Sequence, residues 1–131
     1  MKIIITESQK NVLMESVDSN SFMVKKTPKK GLSLFAKNDI KKGDTVGKLL
    51  SNTPSKNGRQ VQEDLYETNI IGRYINHSSK PNTEPKKKGG EVFLVSIKNI
   101  NENDEVTLDY EKVEKMLGVL PGTFLDEGFI D

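Results

Sequence analysis

Cysteine is absent from the 131-residue chain, and with it any disulfide framework, thiolate metal site or cysteine nucleophile. A single histidine, His77, excludes a histidine-rich metal site. A carboxylate-only Mg²⁺ or Ca²⁺ site is formally open, but no calcium-loop pattern occurs, so no metal is expected. No uninterrupted apolar run exceeds four residues, as at Val92–Val95. Neither a membrane span nor a signal-peptide core is therefore expected, and the expected location is the cytoplasm of the producing or host cell. Alanine occurs once, against ten valines and ten isoleucines. Alanine is the best helix former and β-branched residues favour strands, which argues against a helical bundle. The phosphate-cradling patterns GxGxxG and GxxxxGK[ST] are missing, so nucleoside triphosphate chemistry has no support.

What is present is enough for a small core. Leu, Ile, Val and Phe total 36 residues, above the fraction at which a chain of this length stays disordered. The length is that of one domain. Twenty basic residues face nineteen acidic ones, which argues against a dedicated polyanion binder. Eighteen of the twenty are lysine, whereas arginine is the better reader of phosphate and guanine. The runs at Lys25–Lys26, Lys29–Lys30, Lys41–Lys42 and Lys86–Lys88 read as solvated loop lysines.

Short strands are expected at Phe22–Lys26, Leu32–Lys37, Thr45–Leu50, Val92–Ile97 and Glu105–Tyr110, punctuated by turn signals such as Lys41-Lys42-Gly43-Asp44. Ahead of them, Met1–Thr6 reads as a strand. Thr6 and Gln9 then open a short helix ending near Ser16. Ser51–Arg59 reads as a loop, Gln62–Tyr66 as a short helix, and Asn76–Gly90 as irregular. A helix over Glu111–Leu117 is stopped by Gly118. The sum is a mainly β domain with short helices, sandwich-like or barrel-like.

His77 taken alone is an ordinary loop histidine, for a general base needs an orienting acid and a nucleophile that adjacent Ser78 and Ser79 do not supply. Its surroundings are more specific. Arg73-Tyr74-Ile75-Asn76-His77-Ser78-Ser79-Lys80-Pro81-Asn82 resembles the R-F-x-N-H-S-C-x-P-N signature of SET-domain protein lysine methyltransferases. Lys30-Gly31-Leu32-Ser33-Leu34-Phe35-Ala36, with Asn38 through Asp44, resembles the family's K-G-x-G-L-F-A…x-D-I-x-K-G-E opening. Ile97–Ile100 through Glu105–Tyr110 resembles its closing R-D-I-x-x-G-E-E-L-T-x-D-Y. The three matches are in order and span Phe22 to Tyr110, about two thirds of the chain.

The resemblance implies a β-clip-like fold of small curved sheets with a knot-like C-terminal crossing. It divides the chain into an extension over 1–20, a SET core over 21–110, and a helix and tail over 111–131. It implies an S-adenosylmethionine-dependent methyltransferase that performs in-line transfer to a deprotonated lysine ε-amine of a protein or peptide, with positioning supplying most of the rate. It places Gly31, Leu32, Ser33, Arg73, Tyr74, Asn76 and His77 at the cofactor, His77 through backbone and packing. It implies that Tyr110 carries the catalytic hydroxyl and that Tyr66, Leu108, Phe124 and Phe129 line the lysine channel. Ser33 stands at the family's second glycine, Ser79 at its cysteine and Leu108 at its Phe/Tyr position. The missing zinc modules make the chain similar to minimal SET proteins of viruses and bacteria. No membrane partner is expected, and oligomeric state is open, a homodimer included. Two alternatives are a SET-like binding module without turnover and a small β-barrel that binds nucleic acid through its lysines. The barrel predicts steep salt dependence and stacking aromatics, and the chain has only eight Phe and Tyr.

Overall fold

The computed structural model describes residues 21–120 except Asn57, together with Gly122. The expected strand Met1–Thr6, the helix after Thr6, and Phe124 and Phe129 lie outside the described residues. The elements in chain order are β1 (Phe22–Thr27), β2 (Gly31–Ala36), β3 (Thr45–Ser51), β4 (Gln60–Gln62), β5 (Leu65–Glu67), α1 (Ile71–Tyr74), β6 (Asn76–His77), β7 (Thr83–Lys88), β8 (Glu91–Ser96), β9 (Thr107–Leu108) and α2 (Tyr110–Leu117). They form a two-stranded β1–β2 hairpin, a five-stranded antiparallel sheet of order β4-β5-β3-β8-β7, and a parallel β6–β9 pair. The architecture is mainly β with short helices and small sheets, as the composition indicates. Any part of the expected knot-like crossing that falls after Gly122 lies outside the described residues.

Two stretches differ from expectation. Gln62–Tyr66 is not a helix: Asp64 has φ 65° and reverses the chain between β4 and β5. Pairing of β5 with β3, through Leu50↔Glu67 and Ser51↔Tyr66, overrides local helix preference. Asn76–Gly90 is not irregular either, since it contains β6 and β7. Gly89 and Gly90 both have positive φ (59° and 80°) and close the β7–β8 hairpin, the conformation that two-residue hairpin turns require. Pro85 is tolerated because β7 is an edge strand among the described residues. The Ile97 N–H donates to Asn82 O, so the alternation of the ladder turns the Pro85 nitrogen toward the open edge.

The core joins the three sheets and both helices. Leu34 of β2, Leu49 and Leu50 of β3, Ile71 and Ile75 around α1, Leu94 of β8, Leu108 of β9 and Val113 of α2 are all fully buried. Each such side chain contributes roughly 1.5–3 kcal/mol relative to exposure. Thr68 seats α1: its hydroxyl accepts the Gly72 N–H (2.8 Å) and donates to Lys48 O (2.8 Å). Glu91 fastens the loop after β3, where its Oε2 accepts from Asn52 N–H and Ser51 Oγ while Lys48 lies 3.1 Å from Oε1. Burial alone would raise the Glu91 pKa. The Asn52 N–H, the Lys48 ammonium and the Ser51 hydroxyl outweigh it and hold the carboxyl below its ordinary value.

Helix α2 is capped at both ends. The Asp109 side chain accepts from Glu111 N–H, and Gly118 terminates the helix at φ 73°. Tyr110, Val113, Glu114 and Leu117 recur at helical spacing as its buried stripe. The last turn is tied outward by Val119 N–H to Glu114 O and by Gln62 Nε2 to Leu117 O. A Cβ at Gly118 would meet nothing within 4 Å, so Gly118→Ala tests backbone strain alone. It is expected to cost about 1 kcal/mol, read as a drop of several degrees in Tm; an unchanged Tm would contradict the left-handed cap.

Candidate functional site

The three motif segments meet at the parallel β6–β9 pair. Asn76 lies opposite Thr107 and His77 opposite Leu108, and Phe35 of the β1–β2 hairpin bridges to Glu105 just before β9. Asn82, at the end of the N-H-S-containing segment, locks the crossing. Its Nδ2 donates to Glu105 O (2.8 Å) and its Oδ1 accepts from Thr107 N–H (2.9 Å).

A polar ring closes around Asn76. Asn76 Nδ2 donates to Ser33 Oγ (2.7 Å) and to Glu105 Oε2 (3.1 Å). Glu105 Oε1 pairs with Lys30 Nζ at 3.1 Å. Lys30 N–H donates to Thr27 Oγ1, and Thr27 Oγ1 lies 3.4 Å from Ser33 Oγ. Thr27 gives its own proton to Gly31 O (3.2 Å), so the Ser33 hydroxyl donates to Thr27. The orientation of the amide follows from chemistry, because a carboxylate can only accept. Both Asn76 N–H groups are thereby engaged, and no described residue donates to Asn76 Oδ1. Beside the ring Gly31 has φ 73°, and a Cβ there would meet nothing within 4 Å.

His77 and Tyr110 form the second half of the site. His77 Nδ1 accepts the Tyr110 backbone N–H (3.1 Å), and the two rings are 5.1 Å apart and tilted. A nitrogen that accepts an N–H carries no proton, so the 3.9 Å approach of Asp109 Oδ1 to that same nitrogen is not an ion pair in this tautomer. Tyr110 is the first residue of α2 rather than the end of a strand. It is fully buried, and its hydroxyl donates to Ile75 O at 2.7 Å. Burial first, then the carboxylates of Glu67 and Glu105 against the opposing Arg59 charge, push this hydroxyl well above the ordinary tyrosine range.

The Arg59–Glu67 pair was not singled out in the sequence. Glu67 is fully buried in β5; its Oε1 accepts from Arg59 N–H (2.9 Å) and Nε (3.3 Å), and its Oε2 from Nη2 (3.2 Å). Nothing in the Q-E-D-L-Y-E-T string distinguishes Glu67 from solvated Glu63, and only the β3–β5 pairing reveals it.

The remaining expected residues are dispersed around this centre. Arg73 stacks on Tyr74, its guanidinium 5.5 Å from the ring, and Nε donates to the Tyr74 hydroxyl (3.3 Å). Leu32 is 46% exposed on the hairpin. Tyr66 is half-buried in β5. Leu108 is fully buried in β9, packed in the hydrophobic core. Three cavities lie elsewhere, one of about 480 Å³ by Asn52, Gln62 and Lys87, one of about 450 Å³ by Asp39, Lys41 and Asn101, and one of about 460 Å³ by Thr45, Lys86 and Phe93. No group of three metal-ligating side chains occurs among the described residues, and no described helix is long and apolar enough to cross a membrane.

Residues 51–111 match the family model of the SET domain. That stretch, a little under half of the chain, carries the likeness to the SET domain. The crystal structure of a candidate histone methyltransferase of Plasmodium falciparum is similar at a TM-score of 0.51 and 19% identity, over 69% of this chain and 92% of that one. The ligand-free ctPRC2 assembly containing Ezh2 is similar at a TM-score of 0.50 and 20% identity, over 68% of this chain and 15% of that one. At these identities the likeness is one of fold. Comparison with curated proteins finds no match.

Proposed function

We propose that the protein is an S-adenosylmethionine-dependent protein lysine methyltransferase. The observation that carries this reading is the convergence of all three motif segments on one point, where Ser33, Asn76 and Glu105 are hydrogen-bonded and His77 stacks near Tyr110. The residues fit the cofactor: Asn76 Oδ1 is an acceptor that no described residue uses, and the space over Gly31 is open. Gly31, Leu32, Ser33, Arg73, Tyr74, Asn76 and His77 would hold it. When bound, S-adenosylmethionine supplies an electrophilic methyl group on a sulfonium. Tyr110 would orient the incoming amine as a neutral hydroxyl, since its raised pKa keeps its proton in place. The substrate is a protein or peptide bearing a lysine. The test is incubation with labelled S-adenosylmethionine and lysine-bearing protein, followed by mass spectrometry. Absence of any methylated lysine, this chain's own included, would overturn the reading.

A second reading, a SET-like binding module without turnover, is favoured by one observation: the Tyr110 hydroxyl is buried and already donates to Ile75 O. Cofactor binding without methyl transfer would select it. On either reading Asn76→Ala is expected to weaken binding of S-adenosylhomocysteine by about 5- to 150-fold, the loss of one buried hydrogen-bond partner of about 1–3 kcal/mol. Calorimetry on both proteins checks this, and equal dissociation constants in a folded variant would remove Asn76 from the site.

A further inference from the structure

The polar ring has a direction. Glu105 can only accept, so Asn76 must turn its Nδ2 inward, toward Glu105 Oε2 and Ser33 Oγ. Ser33 then passes its own proton to Thr27, and Thr27 passes its proton to Gly31 O. Every donor in the ring has an acceptor, and a fully satisfied network of this kind resists reorientation. One acceptor is left over, Asn76 Oδ1. Were the amide reversed, Oδ1 would face a carboxylate and the outward group would be a donor. The polarity of the site is therefore decided by the charge on Glu105, which is itself fixed from the surface side by Lys30 at 3.1 Å. Among the described residues the Glu105 carboxylate has no polar partner besides Lys30 and Asn76, and the Lys30 ammonium none besides Glu105.

We infer that Glu105, held by Lys30, is a positioning residue that fixes the Asn76 amide with Oδ1 outward, so that the site selects a ligand presenting a cationic N–H donor. This rests on the cofactor reading above and adds to it the residue pair that sets the polarity of the cofactor site. Glu105 acts through Asn76 and touches no ligand.

Two ligands separate positioning from plain structural support. S-adenosylhomocysteine carries an ammonium group; 5′-methylthioadenosine shares its nucleoside and thioether but lacks the amino-acid part. Glu105→Ala is expected to weaken S-adenosylhomocysteine by about tenfold or more and to leave 5′-methylthioadenosine within about twofold. Glu105→Gln removes the charge and leaves one acceptor for two donors, Lys30 Nζ and Asn76 Nδ2, so it should show the same selective loss in smaller degree. Lys30→Met should weaken S-adenosylhomocysteine by about two- to fivefold, and the wild type should lose the same factor as added salt screens the half-exposed pair. If Glu105→Ala does not fold, the Gln and Lys30 variants carry the comparison. Equal weakening of both ligands, or no change in either, overturns the positioning role while the cofactor reading stands. A wild type that binds neither ligand overturns the cofactor reading and this inference with it.

Discussion

Tyr110→Phe is expected to lose about 10²- to 10⁴-fold in single-turnover methylation while keeping cofactor affinity within a few-fold. A free lysine titrates near pH ~10.4, so near pH 7.5 only about one in a thousand is neutral and nucleophilic. The site must select that form and aim its lone pair. Tyr110 can do so only as a protonated hydroxyl, and its environment keeps it protonated: burial and the Glu67 carboxylate raise its pKa despite Arg59. The sign is clear for the pH profile. As pH rises, the rate should climb with lysine deprotonation, and no falling limb from Tyr110 ionisation should appear near a tyrosine's ordinary value of about 10. The Phe variant also loses the 2.7 Å bond to Ile75 O, about 1 kcal/mol of stability, which denaturation separates from the kinetic effect. If the variant keeps more than roughly a tenth of the rate, Tyr110 is a core tyrosine and the catalytic assignment is lost.

Arg59→Ala is expected to destabilise the fold by about 3 kcal/mol, more than Glu67→Gln. The asymmetry follows from burial. Glu67 is fully enclosed, whereas the Arg59 side chain is 39% exposed. Removing the arginine strands a carboxylate away from water; neutralising the glutamate leaves a guanidinium that water can still reach. A value toward the low end of the range for broken buried pairs is appropriate for that reason. The deficit should shrink as pH falls, because a stranded buried carboxylate gains by taking up a proton. Urea unfolding of both variants at two pH values checks the order, and equal losses at neutral pH would contradict it.

The strands richest in Val, Ile, Leu and Phe were legible from sequence because burial and local propensity agree there. β8 alternates buried and half-buried residues along Glu91–Ser96, and the α2 stripe repeats at helical spacing. β7 was not legible. Its T-E-P-K-K-K string has the proline and lysines of a loop, and it is a strand only because β8 supplies the ladder and the open edge accommodates both. The β4–β5 hairpin was hidden for a related reason: three-residue strands carry too little periodicity to outweigh a helix-compatible composition. Motif resemblance singled out Asn76, His77 and Tyr110, which the fold brings together. It could not show that Ser33 engages the Asn76 amide, nor that Leu108 faces the core. Those depend on how β6 and β9 lie against the hairpin, which no local pattern encodes.

The contacts that close the polar ring join segments far apart in the sequence. Lys30 and Glu105 are 75 residues apart, Ser33 and Asn76 are 43, and Asn76 and Glu105 are 29. Joining such remote segments carries the largest loop-closure penalty, while the β7–β8 and β1–β2 hairpins form from neighbours. Assembly of the site should therefore come late on the folding route, after both hairpins exist. The same remoteness makes it an early place for native-state opening, with hydrogen-exchange protection at Asn76 and Thr107 below that of β8. A ligand that binds only the closed arrangement would reverse this order, raising protection first at the β6–β9 junction rather than evenly across the domain.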